Sequence, residues 1–266
     1  MILAHRAALD GLQLDSIDSR ITIQSIREED GREVTNTVGI PGAGSRVTSE
    51  HRDSLDVIVR FAIRARKREM STRESVIEAV NAWAAGGGWL TIGHKPGRRL
   101  RVVLAQAPGS KDPWTLTEDY ALTLRAYAVP YWQEENPEIL QRKNTNSATF
   151  TLGVNGSVES VCEASFHNTS GNTVNTFSVD TGESAVSFSG LGIANGETLE
   201  IDHEDTGRML ILRARIKSAG GVYRSVLDRR SAASDDDLYV TPGNHSVVMT
   251  AGDAGTMQLT CAGRFL

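Results

Sequence analysis

The residues with the most obvious chemical potential are two acidic runs, Asp202-His203-Glu204-Asp205 and Asp235-Asp236-Asp237. Clustered carboxylate oxygens are the donor set a hard cation such as calcium takes, although acidic runs in loops more commonly carry solvated charge. Gly93-His94-Lys95-Pro96-Gly97 has the composition of a phosphate cradle. It lacks the Lys-Ser/Thr that closes such a cradle and joins one strand-like run to another, so it reads as a hairpin loop. The chain contains no GxSxG elbow, no HExxH pair, no GxxxxGKS/T loop and no GxGxxG leading into a helix. Its two cysteines, Cys162 and Cys261, are too few for a disulfide framework and lie in no CxxC pair, which makes them buried thiols. No catalytic residue, metal ligand or cofactor site is assigned from these patterns.

Binding chemistry is the next resort. All four tryptophans, Trp83, Trp89, Trp114 and Trp132, fall in the first half. The second half has Phe150, Phe166, Phe177, Phe188 and Phe265 largely within apolar strand patterns, where core packing explains them. Tyr223 and Tyr239 remain as candidates for stacking against a sugar ring.

The elements that must position these residues are mostly strands. One helix stands out over 71–85: Ser71-Thr72-Arg73-Glu74 has capping-box spacing, and Val76, Ile77, Val80, Trp83 and Ala84 recur at three- and four-residue intervals. Gly86-Gly87-Gly88 supplies the stop. Before it, 56–65 is β-rich, with apolar residues alternating against Arg60 and Arg64. After it, 89–92 and 100–105 flank the Gly93 loop, and 120–127 alternates again. Ile21-Thr22-Ile23 adds an earlier strand, and Pro41-Gly42-Ala43-Gly44 marks an exposed, mobile loop over about 28–50. The second half reads as short strands at 149–154, 158–166, 175–179, 185–188, 198–201, 209–216, 246–250 and 257–261.

At 266 residues with 39% hydrophobic content, the chain supports two cores of ordinary size. We expect a first domain over 1–137, a polar linker over 138–147 and a second domain over 148–266. The fold class is mainly β: an N-terminal β-sandwich-like domain with one packed α-helix, then an antiparallel β-sandwich. A formal net charge of -5 disfavours nonspecific binding to nucleic acid or anionic membrane. No apolar stretch approaches the roughly 20 residues that cross a bilayer, and the start has no signal-peptide pattern, so synthesis and assembly in a cytoplasm are expected.

The order of these elements, with particular words in the sequence, resembles the distal tail protein family of long-tailed bacteriophages. In the first half the likeness rests on Ile40-Pro41-Gly42-Ala43-Gly44, the alternating strand, the helix ending Ala82-Trp83-Ala84-Ala85, its hairpin, and Pro130-Tyr131-Trp132. In the second it rests on Asn195 to His203, Asp236 to Asn244 and Gly263-Arg264-Phe265-Leu266, similar to that family's galectin-like domain. The resemblance implies a noncatalytic virion protein of the tail tip or baseplate, assembled in the bacterial cytoplasm. It implies a homo-hexamer ringed through the first domain, a channel for DNA and the tape measure protein, and docking to the tail tube protein and the tail-associated hub protein. The second domain would hold receptor-binding or other baseplate proteins. A cyclic ring needs two different complementary surfaces on each copy, and Arg60 and Arg64 facing an acidic loop of Glu28, Glu29 and Asp30 supply such a pair. The alternative is a carbohydrate-binding or host-adhesion protein that touches the cell surface directly. An enzyme with a sandwich accessory domain is disfavoured by the missing motifs.

Overall fold

The computed structural model describes residues 6–30, 33–40, 44–64, 70–109, 119–205 and 210–266. Two compact units result, Met1–Trp132 with Asp205–Met209, and Gln133–Glu204 with Leu210–Leu266.

In the first unit β1 (Ala7–Leu9), β2 (Leu12–Gln13), the single turn α1 (Leu14–Ile17) and β3 (Ile21–Asp30) precede a two-stranded hairpin of β4 (Glu33–Ile40) and β5 (Gly44–Arg52). Then come β6 (Leu55–Ile63), α2 (Met70–Ala85), β7 (Gly88–Ile92), β8 (Arg98–Gln106) and β9 (Asp119–Ala126). The sheet order is β2-β1-β7-β8-β9-β6-β3. The first part of β8 pairs with β7 and its last part, from Val103, pairs with β9. That hand-over bends the sheet around the core. Alternation does what it foretold in β6: Leu55, Val57, Val59, Phe61 and Ile63 are buried while Arg60 is exposed. Phe61 stacks on its cross-strand partner Tyr120, with ring centroids 5.6 Å apart. Helix α2 buries Val76, Ile77, Val80 and Ala84, and Trp83 donates its indole N–H to Leu12 O at 3.0 Å. The Ser71 side chain of the expected capping box lies outside the described residues. At the helix exit Gly87 has φ 61°, and a Cβ there would sit 2.4 Å from Val102 O. The glycine run therefore serves a close approach to β8 as well as a stop.

One expectation fails here. The segment read as a mobile loop over 28–50 is instead the end of β3 and the β4–β5 hairpin, paired from Glu33↔Arg52 to Ile40↔Gly44. Residues 41–43 at its tip lie outside the described residues. A polar hairpin that pairs mainly with itself shows no hydrophobic alternation for a sequence reading to find.

After β10 (Trp132–Glu134), which crosses the unit boundary, the second unit is built from β11 (Ile139–Val154), β12 (Ser160–Asn168), β13 (Val174–Asp180), β14 (Ala185–Ile193), β15 (Thr198–Asp205) and β16 (Leu210–Lys217). It continues with β17 (Tyr223–Ser225), a 3-10 turn at Leu227–Arg229, β18 (Tyr239–Val240), β19 (Gly243–Cys261) and β20 (Arg264–Phe265). Strand order is β14-β13-β19-β12-β15-β16-β17, with β11 on the remaining side of β19. β11 and β19 form one long ribbon, from Val154↔Gly243 to Ile139↔Thr260. Along its other edge, β19 pairs with β13 over 248–251 and with β12 over 255–261. The ribbon thus borders both β13 and β12, and Phe166 of β12 meets Phe177 of β13 in the core at 5.7 Å between centroids. At the corner, a Cβ on Gly255 would lie 2.4 Å from both His167 O and the Phe166 ring. Only glycine lets β19 pass there.

The antiparallel β-sandwich expected for the second half is present, with two corrections. Residues 139–147, read as linker, are the first half of β11, and the unit boundary falls at Trp132/Gln133. The separate strands at 246–250 and 257–261 are one strand. The first error arises because the start of β11 is exposed on both faces and is defined by backbone pairing, the second because Gly252 and Gly255 interrupt an otherwise alternating strand.

Candidate functional site

The outward face of β3, β6 and β9 is the natural place to look for a subunit contact, because its other side is committed to the core. Arg60 and Arg64 are exposed, alternate with buried Phe61 and Ile63, and have no ion-pair partner among the described residues. Arg60 is flanked across the sheet by Ser25 and Ala121. Nearby, Arg125 neutralises Asp56 in a bidentate pair at 2.5 and 2.6 Å, and Gln24 donates to the Asp119 carboxylate at 2.6 Å. Hydrogen bonds to Asp56 push the Arg125 guanidinium above its ordinary value.

The expected acidic loop does not hold together as one surface. Glu28, Glu29 and Asp30 belong to β3, and successive strand residues point to opposite faces. Glu29 is exposed, and the side chain of Asp30 lies outside the described residues. Glu28 turns inward. Its Oε2 accepts from Lys95 Nζ at 2.7 Å and from the buried Trp132 Nε1 at 2.8 Å, while Oε1 meets His94 Nε2 at 3.2 Å. Lys95 Nζ also lies 5.1 Å from the Trp132 ring centroid. Burial raises the Glu28 pKa, but hydrogen bonds from Lys95 and Trp132 and the Lys95 charge outweigh it and hold the carboxyl below its ordinary value. The Gly93 loop thus serves as a latch onto β3.

In the second unit the acidic runs are spent on ion pairs. Asp202 pairs with Arg213 at 2.9 Å and Arg215 at 3.0 Å, Glu200 with Arg215 at 3.1 Å, and Glu204 with Arg213 at 3.1 Å. His203 Nε2 bonds Asp237 Oδ1 in a close contact, Asp236 pairs with Arg230 at 2.8 Å, and Asp235 accepts the Ala185 N–H at 2.7 Å. Acids of β15 and bases of β16 therefore interlock as a cross-strand ladder. Beside it, Glu163, Ser165, Glu200, Asp202, Gln258 and Thr260 line an open hollow of about 190 Å³. The two tyrosines are not brought together by pairing: Tyr223 is 45% exposed on β17, opposite Lys217 and 4.3 Å from the Arg215 guanidinium, whereas Tyr239 is half-buried on β18, paired with Val161.

Sequence reasoning missed the Glu28–Lys95–Trp132 cluster and the β15–β16 ladder. The ladder left a signal, since acids at 200, 202 and 204 and arginines at 213 and 215 each recur with the strand period of two. The cluster left none, because its members are separated by up to 104 residues.

Two β units in one chain, the first carrying a packed helix, make a mainly β fold that is similar to solved structures of phage proteins. The SPP1 Dit protein, described as a paradigm of the hub adsorption apparatus in Gram-positive infecting phages, matches with a TM-score of 0.67 at 13% identity, covering 98% of this chain and 99% of that one. A chain of the phage p2 baseplate in its activated conformation matches with TM-scores of 0.52 in the strontium form and 0.50 in the calcium form, each at 8% identity and covering 97% of this chain. No protein-family model and no curated protein matches the sequence.

Proposed function

We propose that this chain is a structural hub protein of a phage tail tip or baseplate, located in the virion. Copies join through the first unit into a six-membered ring around a channel that passes DNA and the tape measure protein. The ring docks on the tail tube protein and on the tail-associated hub protein, and the second unit holds receptor-binding or other baseplate proteins. Assembly precedes release, in the bacterial cytoplasm. The observation that carries this reading is the match to SPP1 Dit across both units at a TM-score of 0.67. Within the ring, Arg60 and Arg64 supply the basic surface and Glu29 the acidic one. Glu28 acts inside its own subunit.

Native mass measurement and electron-microscope images of the purified chain, alone and mixed with the tail tube and tail-associated hub proteins, test the proposal. A six-fold ring with a central hole is expected. A chain that stays monomeric in every mixture overturns it.

The polar hollow and the exposed Tyr223 favour one second reading, direct contact with cell-surface carbohydrate. Binding to isolated host cell wall that is lost in Tyr223→Ala supports it, and equal binding by the two proteins removes it.

A further inference from the structure

The register of β12 against β19 sets Cys162 directly opposite Cys261. Both cysteines are free, and both face the core of the second unit, 0% and 5% exposed. The Cys162 N–H donates to Leu238 O at 2.8 Å, on the β18 side of β12 and away from β19. The two residues are therefore a non-hydrogen-bonded antiparallel pair, the class in which Cα atoms approach most closely, to roughly 4.5 Å. A disulfide spans Cα separations of roughly 4.4–6.8 Å without moving the backbone.

We propose that Cys162 and Cys261 are an oxidisable cross-strand dithiol, which a small-molecule disulfide converts into an intramolecular staple between β12 and β19. The order of reaction follows from the surroundings. Cys261 is the last residue of β19 and keeps slight exposure, so fraying of that strand end presents it to the oxidant. Cys162 is fully buried, and its hydrogen bond with Cys261 and then its burial hold it as the protonated thiol. The Cys261 thiolate attacks one sulfur of the oxidant, the oxidant's S–S bond breaks, and one small thiol leaves. Cys162 then gives up its proton and attacks the Cys261 sulfur, and the second small thiol leaves. Two electrons and two protons pass from the protein to the oxidant, which ends as two thiols. No third ligand competes, since no group of three His, Cys, Asp or Glu suited to a metal exists among the described residues.

The staple ties together two strands of one sheet and encloses β13 to β18 in a covalent loop. The unit would be open under reducing conditions and locked once it meets an oxidising medium. This follows from the register alone and is independent of the hub reading.

Oxidised glutathione added to the full-length chain is the test, followed by denaturing alkylation and peptide mapping. The expected product has no alkylatable thiol, is lighter by two hydrogen atoms, contains a peptide pair joined through Cys162 and Cys261, and melts at a higher temperature until a dithiol reductant is added. Cys162→Ser should stop at a glutathione adduct on Cys261, and Cys261→Ser should leave Cys162 unmodified. Wild-type chain that keeps two alkylatable thiols, or that links between molecules, overturns the proposal.

Discussion

Glu28 and Trp132 stand 104 residues apart in sequence, yet the indole N–H donates to the carboxylate at 2.8 Å. The bond ties strand β3 to the last residue of the first unit's main segment, and Lys95 locks both from the β7–β8 loop. The carboxylate is shared among a cation, an indole and an imidazole. It is a structural latch.

Replacing it as Glu28→Gln should destabilise the first unit by about 2 kcal/mol, the usual cost of losing hydrogen bonds to a charged group, measured by denaturant unfolding. The pH dependence has a definite sign. Because the folded-state pKa lies below the ordinary value of 4.5, the contribution is complete above that value and is lost as pH falls from it through the folded pKa. Wild-type stability should therefore drop more steeply in that window than that of Glu28→Gln. Parallel curves would show that the latch is not the titrating element.

Gly255→Ala should destabilise the second unit by about 3 kcal/mol, since the added methyl meets a carbonyl and a ring at 2.4 Å and the well-packed corner must shift. Thermal melting of the purified variant reads this directly. An unchanged melting temperature would mean the corner yields freely.

Charge reversal at the exposed pair, Arg60→Glu with Arg64→Glu, should leave the monomer's melting temperature within a degree or so of wild type, because neither side chain has an ion-pair partner among the described residues. Ring yield, counted by native mass measurement, should fall severalfold. Rings of undiminished yield would reassign the contact.

Among the described residues, strand β11 is hydrogen-bonded along one edge only, and its first half is exposed on both faces. Arg142, whose cross-strand partner is the buried Met257, carries its guanidinium to 5.7 Å from the Phe150 ring centroid. A charged side chain on an edge strand discourages a second chain from adding to it. Arg142→Leu should accordingly raise the rate of aggregation in light scattering without lowering unfolding stability.

What was legible in the sequence was whatever burial had written into it. Val76, Ile77, Val80 and Ala84 recur with a helix period and are the buried face of α2, and the alternation at 57–63 is the buried row of β6. Arg60 and Arg64 were found because they interrupt that row. Residues 139–147 were misread because both faces of that half-strand meet solvent and only its backbone belongs to the sheet. Gly252 and Gly255 look like turn residues, so the sequence suggested two strands where β19 bends and continues. Glu28 looked like a neighbour of Glu29, although the pleat sends them to opposite faces.

The β11–β19 ribbon has a further consequence. Ile139, near the start of the second unit, lies opposite Thr260 of β19, so the unit's first and last long strands run side by side. A module whose two ends are side by side can be excised, exchanged or inserted with little demand on its host. The pairing of its first and last long strands thus makes the second unit a closed module whose ends are held together by backbone hydrogen bonds.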